Sequence, residues 1–283
     1  MDSLNPHLPH HPLRFRTPLP QHPDAPLFIF LPGMDGTGEL LRLQLESLGA
    51  VFDIRCLVIP PDDLTSWDDL ANQVITLVQD ELDSNPRHQV YLCGESFGGC
   101  LTLKVAQRAA RLTKPDQTPL FDRVILVNPA SAIRRMPLLR SLSAFTHWLP
   151  DFTYLPGSFV LFPLLGALHR LAPDVAQELL HATQSVSPKS AYWRVELIRT
   201  FEIAPIELAT IAQPVLVVAS GSDRLLPSIE EGRALVQQLP DAQLHILPQS
   251  GHTCLLETNV HLYQILDETG FLDAVTLADR AIA

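Results

Sequence analysis

Ser96 stands in the stretch "CGESFGG", Cys93 to Gly99, between the apolar run "QVYL" and the helix-like "GCLTLKVAQRAARL". A serine hydroxyl is a poor nucleophile unless a base takes its proton. A strand-to-helix turn can present such a serine, provided small residues surround it so that the strained backbone closes. Gly94 and Gly98 supply the small positions, with Gly99 behind them. The alternative is that Ser96 caps an ordinary helix. What separates the two readings is whether an acid and a base arrive at the same place.

Two later segments bear on that. "VLVVASGSDRLLPS" places Asp223 just past an apolar run, in a turn bounded by Gly221 and Pro227. "QLHILPQSGHTCLLE" places His252 just past the last apolar run, after Gly251. Taken singly, Asp223 reads as a turn former and His252 as a loop histidine. Taken together, serine, acid and histidine follow one another in that order, each after a later buried strand. That predicts a triad in which His252 takes the Ser96 proton and later returns it, while Asp223 holds the imidazole tautomer and stabilises the imidazolium. His245 lies within a strand-like run, and His169 and His181 lie in a long insertion, so neither position competes.

A tetrahedral intermediate also needs hydrogen-bond donors for its oxyanion. One expected donor is the backbone N–H of Phe97, the residue after the nucleophile. The other comes from "FIFLPGMDGTG": Pro32 has no N–H and Gly33 permits a tight turn, which leaves the N–H of Met34. No G-K-[ST] follows, and Asp35 would repel a phosphate, so this glycine-rich loop is not read as a phosphate cradle.

The elements that must position these groups are legible as six short apolar runs, at 27–31, 54–59, 89–93, 123–128, 215–220 and 243–247. Most are continuously apolar, as strands buried on both faces of a parallel sheet are. Helix-like segments fall between them. Trp67, Leu70, Val74, Leu77, Val78 and Leu82 recur at helical spacing after Ser66, and "ELLRLQLESL" follows the Met34 loop. Ser228 and Glu231 open another helix in capping-box spacing. The alternation predicts an α/β fold, a mostly parallel sheet with helices on both faces.

The alternation breaks between Asn128 and Pro214. A helical cap insertion at about 131–211 would sit over the C-terminal edge of the strands, where open α/β sheets bind ligands. It offers Phe145, Trp148, Phe152, Phe159, Phe162, Leu164 and Leu165 as acyl-pocket lining, or as packing of the cap on the sheet. Phe152 to His169 is near membrane-spanning length, but Pro156, Gly157 and Pro163 interrupt it. It reads as a cap or as a surface that touches membrane, not as a spanning helix.

Composition sets the outer bounds. Of 283 residues 46% are apolar, enough for a sizeable core, and the net charge of −11 argues against binding nucleic acid through phosphates. The four cysteines have no metal-like spacing and read as buried thiols of a reducing compartment. Residues 1–26 read as a flexible, Pro/His-rich lead-in whose His7, His10, His11 and His22 are not taken as a metal site. This segment lacks the basic start and apolar core of a secretory signal, so the expected location is cytoplasmic, with peripheral membrane contact as an option. Residues 27–283 are expected to form the single catalytic domain, with an ester substrate and with neither metal nor organic cofactor.

These residues resemble the α/β-hydrolase superfamily over nearly the whole chain from about Leu27 onward. Within it, "FLPGMDGTG", "CGESFGGCLTLKVA" and "VILVNPAS" are similar to the plant and cyanobacterial esterase/lipase/acyltransferase branch typified by phytyl ester synthases. The resemblance implies the α/β-hydrolase fold and chemistry on long-chain lipids, moving fatty acyl groups onto phytol or diacylglycerol. Plant members of that branch continue into a second, acyltransferase-like domain, and the resemblance here covers the hydrolase part. Ser96, Asp223, His252 and the amides of Met34 and Phe97 match the superfamily's functional positions. The expectation is a serine hydrolase of apolar carboxylic esters. Its rivals are an acyltransferase to a lipid alcohol, an acyl thioesterase and a non-catalytic lipid-binding hydrolase fold.

Overall fold

A computed structural model describes residues 12–112, 118–137 and 170–272, with the single positions 141 and 164. Its strands are β1 (Arg14–Arg16), β2 (Leu27–Leu31), β3 (Asp53–Val58), β4 (Val90–Glu95), β5 (Arg123–Val127), β6 (Val215–Ser220) and β7 (Ala242–Leu247). They form one sheet in the spatial order β1-β3-β2-β4-β5-β6-β7. β1 is antiparallel to β3, and the other pairings in the sheet are parallel. The described helices are α1 (Leu45–Gly49), α2 (Trp67–Ser84), α3 (Phe97–Leu112), α4 (Pro173–Ser185), α5 (Pro188–Arg199), α6 (Pro205–Leu208), α7 (Ser228–Gln238) and α8 (Leu262–Glu268).

The continuous apolar runs have a simple cause: alternate residues of one strand serve two different cores. Leu27, Ile29 and Leu31 of β2 face the core built with α2, α3 and α7, while Phe28 and Phe30 face the core built with α1 and α8. With helices on both faces, no position of β2, β4 or β6 is left for a solvent-facing side chain. Helix α2 begins where Ser66 accepts a hydrogen bond from the Asp69 amide at 3.2 Å. It buries the stripe Trp67, Leu70, Val74 and Val78.

Three local expectations change. The sheet starts before residue 27, because Arg14–Arg16 inside the expected lead-in pairs with Cys56–Val58. Three residues of type Arg-Phe-Arg carry too little periodicity to announce a strand, and only the exposed edge of β3 makes them one. The helix expected over "ELLRLQLESL" is reduced to a 3-10 turn, Arg42–Gln44, and the short α1. Here the buried Gln44 side chain donates to Leu255 and Val260 carbonyls and accepts from the Leu262 amide. Finally, Ser228 and Glu231 do not form a capping box: Pro227 is the N-cap of α7, and both side chains turn to tertiary partners.

The described part of the insertion does not sit apart from the body. Leu197, Ile198 and Phe201 at the end of α5, with Ile203, Leu208 and Ile211 beyond it, complete the core on the α2/α3 face. Helix α4 makes a smaller cluster with Leu40 and Leu256.

The turn from β4 into α3 is packed backbone against backbone. A Cβ added at Gly94 would stand 2.2 Å from the Gly98 carbonyl oxygen. One added at Gly98 would stand 2.0 Å from the Leu31 oxygen and 2.5 Å from that of Pro32. No flexible side chain can swing aside to relieve either clash. Gly98→Ala is therefore expected to cost at least about 2 kcal/mol of stability, read from urea or thermal unfolding. An unchanged unfolding midpoint would contradict this packing.

Candidate active site

Four strand ends deliver the chemistry. Ser96 follows β4, Asp223 follows β6, His252 follows β7, and the loop carrying Met34 follows β2. Because these strands are parallel, all four residues lie at the same C-terminal edge.

Ser96 has φ = 54°, a left-handed conformation that a side chain other than glycine's adopts at a cost. The surroundings hold it there. Its amide donates to the Val127 carbonyl at 2.9 Å, and its own carbonyl accepts from Gly99, Cys100 and Ala130 amides at 3.0, 3.3 and 2.9 Å. The hydroxyl thus projects from the turn instead of lying along the helix. His252 Nε2 is 2.8 Å from Ser96 Oγ, and His252 Nδ1 is 2.8 Å from Asp223 Oδ2. In the neutral imidazole this geometry suits a proton on Nδ1, donated to the carboxylate, and a lone pair on Nε2, facing the hydroxyl. The sequence-derived trio is brought together in the expected order.

Ser228, which the sequence reading took only as a helix cap, and Asn128 and Glu257, which it did not single out, hold this geometry. Ser228 donates to Asp223 Oδ2 at 2.5 Å, the same oxygen that faces His252, and the Leu225 and Leu226 amides donate to Oδ1 at 2.9 and 3.0 Å. Asn128, buried at the end of β5 with φ = 43°, donates to the His252 carbonyl at 2.7 Å and accepts from the Ser220 amide at 2.8 Å. It therefore ties β5 and β6 to the histidine loop. Glu257 accepts from the Gly251 amide at 2.7 Å and from Arg170 at 2.5 Å. The available signals were an asparagine closing the apolar run "VILVN" and a glutamate five residues after the histidine. Each is too commonplace to stand out before its partner is known.

The loop after β2 lies against the nucleophile: a Cβ built at Gly33 would be 3.9 Å from Ser96 Cβ. Asp35 bonds inward to its own turn, accepting from the Thr37 amide and hydroxyl at 2.8 and 2.6 Å. As first residue of α3, Phe97 has no carbonyl earlier in the helix for its amide to bind. Its ring is fully buried and stacks on Trp67, with centroids 4.6 Å apart. Of the expected pocket residues, Phe145, Trp148, Phe152, Phe159, Phe162 and Leu165 lie outside the described residues. Leu164 is described, and it is exposed.

Electrostatics sharpen the roles. Burial opposes ionisation of Asp223, yet the charge and hydrogen bond of His252 and the Ser228 hydroxyl hold its carboxyl below the usual range. Burial also opposes a charged His252, but Asp223 outweighs it and raises the imidazole above its ordinary 6.5, with Glu95 adding to the rise. Glu95, the residue before Ser96, is buried, and burial pushes its carboxyl up to about 8. Its Oε1 has no hydrogen-bond partner among the described residues. The four cysteines are free and buried, and burial lifts Cys56 to about 12 and the others also upward. As thiols so disfavoured from ionising, they do not rival Ser96 as nucleophile.

Sequence comparison matches residues 15–262 to the alpha/beta hydrolase family. The chain is 33% identical over 270 residues to phytyl ester synthase 1, chloroplastic, of Arabidopsis thaliana, covering 87% of this chain and 37% of that protein. It is 31% identical over 295 residues to phytyl ester synthase 2, chloroplastic, of the same plant, covering 92% and 40%. The chain thus spans well under half the length of these relatives. Among solved structures, an enol-lactonase from Burkholderia xenovorans LB400 superposes with a TM-score of 0.69 at 18% identity, over 92% of this chain and 95% of that one.

The pKa directions fix the sign of a pH experiment. A base must be neutral, and His252 is held above 6.5, so kcat/KM for a neutral activated ester should rise with pH through a midpoint above 6.5. Removing the Asp223 charge takes away the main upward influence, so Asp223→Asn should move that midpoint down while lowering turnover by about 10⁴-fold. A wild-type midpoint below 6.5, or one that Asp223→Asn leaves in place, would contradict the coupling.

Proposed function

The chain belongs to the alpha/beta hydrolase family, and on that premise we propose that it is a serine hydrolase of apolar carboxylic esters, with a lipid ester as substrate. One observation carries the reading: the unbroken hydrogen-bonded run from Ser96 through His252 to Asp223, 2.8 Å at each step, with the serine held on a left-handed turn.

The chemistry follows from the positions. Ser96 Oγ attacks the ester carbonyl carbon as its proton passes to His252 Nε2, and Asp223 stabilises the imidazolium. The carbonyl oxygen, now negative, takes hydrogen bonds from the Met34 and Phe97 amides. Collapse of the intermediate breaks the bond to the alcohol oxygen, which leaves with the proton from His252 Nε2. The acyl group remains as an ester on Ser96. Water then gives a proton to His252 and attacks this ester. The second intermediate collapses to the carboxylic acid, and Ser96 regains its proton.

A lipid substrate is supported by the apolar stretch from Phe152 to His169 and by the similarity to two proteins named as phytyl ester synthases. The same similarity favours a second reading, in which a long-chain alcohol replaces water and the acyl group is transferred. Contact with a membrane surface would deliver either substrate. Among the described residues no helix is long and apolar enough to cross a bilayer.

Two measurements test the proposal. Ser96→Ala should lower turnover by about 10⁵ to 10⁶-fold, and the Ser96→Ala/His252→Ala double variant should be scarcely worse than either single, because such residues act as a unit. Losses that multiply would show that the two do not share one relay. Separately, p-nitrophenyl esters from C4 to C10 should gain about three- to fourfold in kcat/KM per added CH₂, each methylene contributing about 0.8 kcal/mol on burial. Phe159→Ser/Phe162→Ser should flatten that climb while leaving the acetate ester nearly unchanged. A preference for short esters would remove the lipid substrate and leave the hydrolase. Mass spectrometry of the group trapped on Ser96 after exposure to lipid extract, with and without added phytol, separates hydrolysis from transfer.

A further inference from the structure

The loop after β2 has a mechanical problem. Gly33 and Gly36 bracket the Met34–Asp35 peptide, and Gly36 sits at φ = 70°. The Met34 N–H belongs to the Gly33–Met34 peptide, and the soft dihedrals of Gly33 let that peptide turn unless its neighbours are held. The Gly36 amide bonds back to the Gly33 carbonyl, which steadies one side of that peptide, and the inward bonds of Asp35 reach Thr37, but neither holds the Met34 carbonyl.

Arg194 on α5 does. Its Nη1 donates to the Met34 carbonyl at 2.6 Å and its Nη2 to the Pro60 carbonyl at 2.8 Å. One planar fork therefore spans the loops after β2 and β3. The residue is 1% exposed, an expensive place for a cation to be kept for packing alone. The guanidinium also fills the space beside Gly36, where a Cβ would lie 2.7 Å from Nη1.

The helix that carries Arg194 is itself clamped. Ser190 donates to the Asp63 carbonyl at 2.5 Å, Trp193 to that of Thr65 at 3.0 Å, and the Ser187 amide to that of Pro61 at 2.9 Å. In return Trp67 donates to the Leu197 carbonyl at 2.9 Å, and Trp67 is the ring stacked on Phe97. Helix α5 thus touches the supports of both expected oxyanion donors, the Met34 loop through Arg194 and Phe97 through Trp67.

We infer that Arg194 is a positioning residue of the oxyanion hole: by binding the Met34 carbonyl it anchors Met34 from its C-terminal side, while the Gly36 amide holds the Gly33 carbonyl on the other, and together they set the Gly33–Met34 peptide whose N–H is to face the reacting carbonyl. This rests on the hydrolase reading above. It also gives the insertion a second task besides covering substrate, since α5 sets the donors that act on the transition state.

The test compares Arg194→Lys, which keeps the buried charge but loses the planar fork, with Arg194→Met, and uses Trp193→Phe as control. Trp193→Phe removes a neighbouring bond of α5 to the body but none to the Met34 loop. Rates are read with p-nitrophenyl butyrate, as kcat and KM separately, alongside thermal unfolding. Arg194→Lys should lower kcat by about tenfold or more and Arg194→Met by about 10²-fold, the scale of losing one oxyanion donor, with KM within about threefold. Trp193→Phe should keep kcat within about threefold of wild type even where its unfolding midpoint falls. Arg194→Lys with kcat within about threefold of wild type overturns the inference, whether or not Arg194→Met folds. So does a Trp193→Phe loss as large as that of Arg194→Lys, since anchoring of α5 in general would then be the cause. Ser96→Ala is run in parallel: activity that survives it overturns the hydrolase reading, whereas its loss alongside unaffected Arg194 variants overturns only this inference.

Discussion

The left-handed backbone at Ser96 is the constraint on which the rest of the site depends. A non-glycine residue at φ = 54° costs of order 1–3 kcal/mol and persists only where its surroundings leave no alternative. Here they come from three sides. The end of β5 accepts the Ser96 amide, the first turn of α3 and Ala130 bind its carbonyl, and the carbonyls of Leu31 and Pro32 press on Gly98. The last of these contacts matters beyond the turn. The strand that crowds Gly98 is the one that continues into the Met34 loop. Closing the elbow therefore brings the nucleophile and the loop together in a single packing event.

Charge is arranged around that turn with little room for solvent. His252 and Asp223 are both almost fully buried, so each ionises only in the presence of the other. Asp223 can stay charged there because four groups face its two oxygens: two amides, the Ser228 hydroxyl and the imidazole. Glu95, next to Ser96 in sequence, has an Oε1 without a hydrogen-bond partner among the described residues, and burial pushes its carboxyl up to about 8. Two buried carboxyl groups near one histidine are thus pushed in opposite directions by their environments. The imidazole is left with one strong anionic partner, on its Nδ1 side.

The insertion changes character along its length. Its later part is structural: α5 and the chain through Ile211 complete the main core, and Ser190, Trp193 and Arg194 each bind backbone carbonyls of the loops after β2 and β3. Its start is also tethered. Glu231 of α7, fully buried, accepts from Ser131, Arg134 and Arg135 just after β5. What lies between these two anchored ends includes the apolar residues proposed to meet the acyl chain. A cap anchored this way can vary between its anchors without disturbing the Met34 and Phe97 amides proposed as oxyanion donors.

The sequence by itself determined the parts governed by local rules. Buried strands show as apolar runs because both faces need apolar side chains, and α2 shows in the helical spacing of Trp67, Leu70, Val74 and Val78 because one stripe of the helix is buried. Ser96, Asp223 and His252 were legible because strand ends and glycine turns are local, and because parallel strands carry whatever follows them to a common edge. Tertiary structure decided what each polar group does when several partners were open to it. By sequence Ser228 and Glu231 could have capped α7. In the fold Ser228 lies 2.5 Å from Asp223 and Glu231 lies 2.7 Å from Arg135, and a carboxylate or guanidinium partner outcompetes a helix-end amide. The strand at Arg14–Arg16 exists because β3 presents an unpaired edge, a property of the sheet and not of those three residues. Arg194 reads as one more charge on a helix until the loops after β2 and β3 come within reach of its fork. Periodicity and turn chemistry are written in neighbouring residues. The choice among competing hydrogen-bond partners is written only in distances of about 3 Å between segments far apart in the chain.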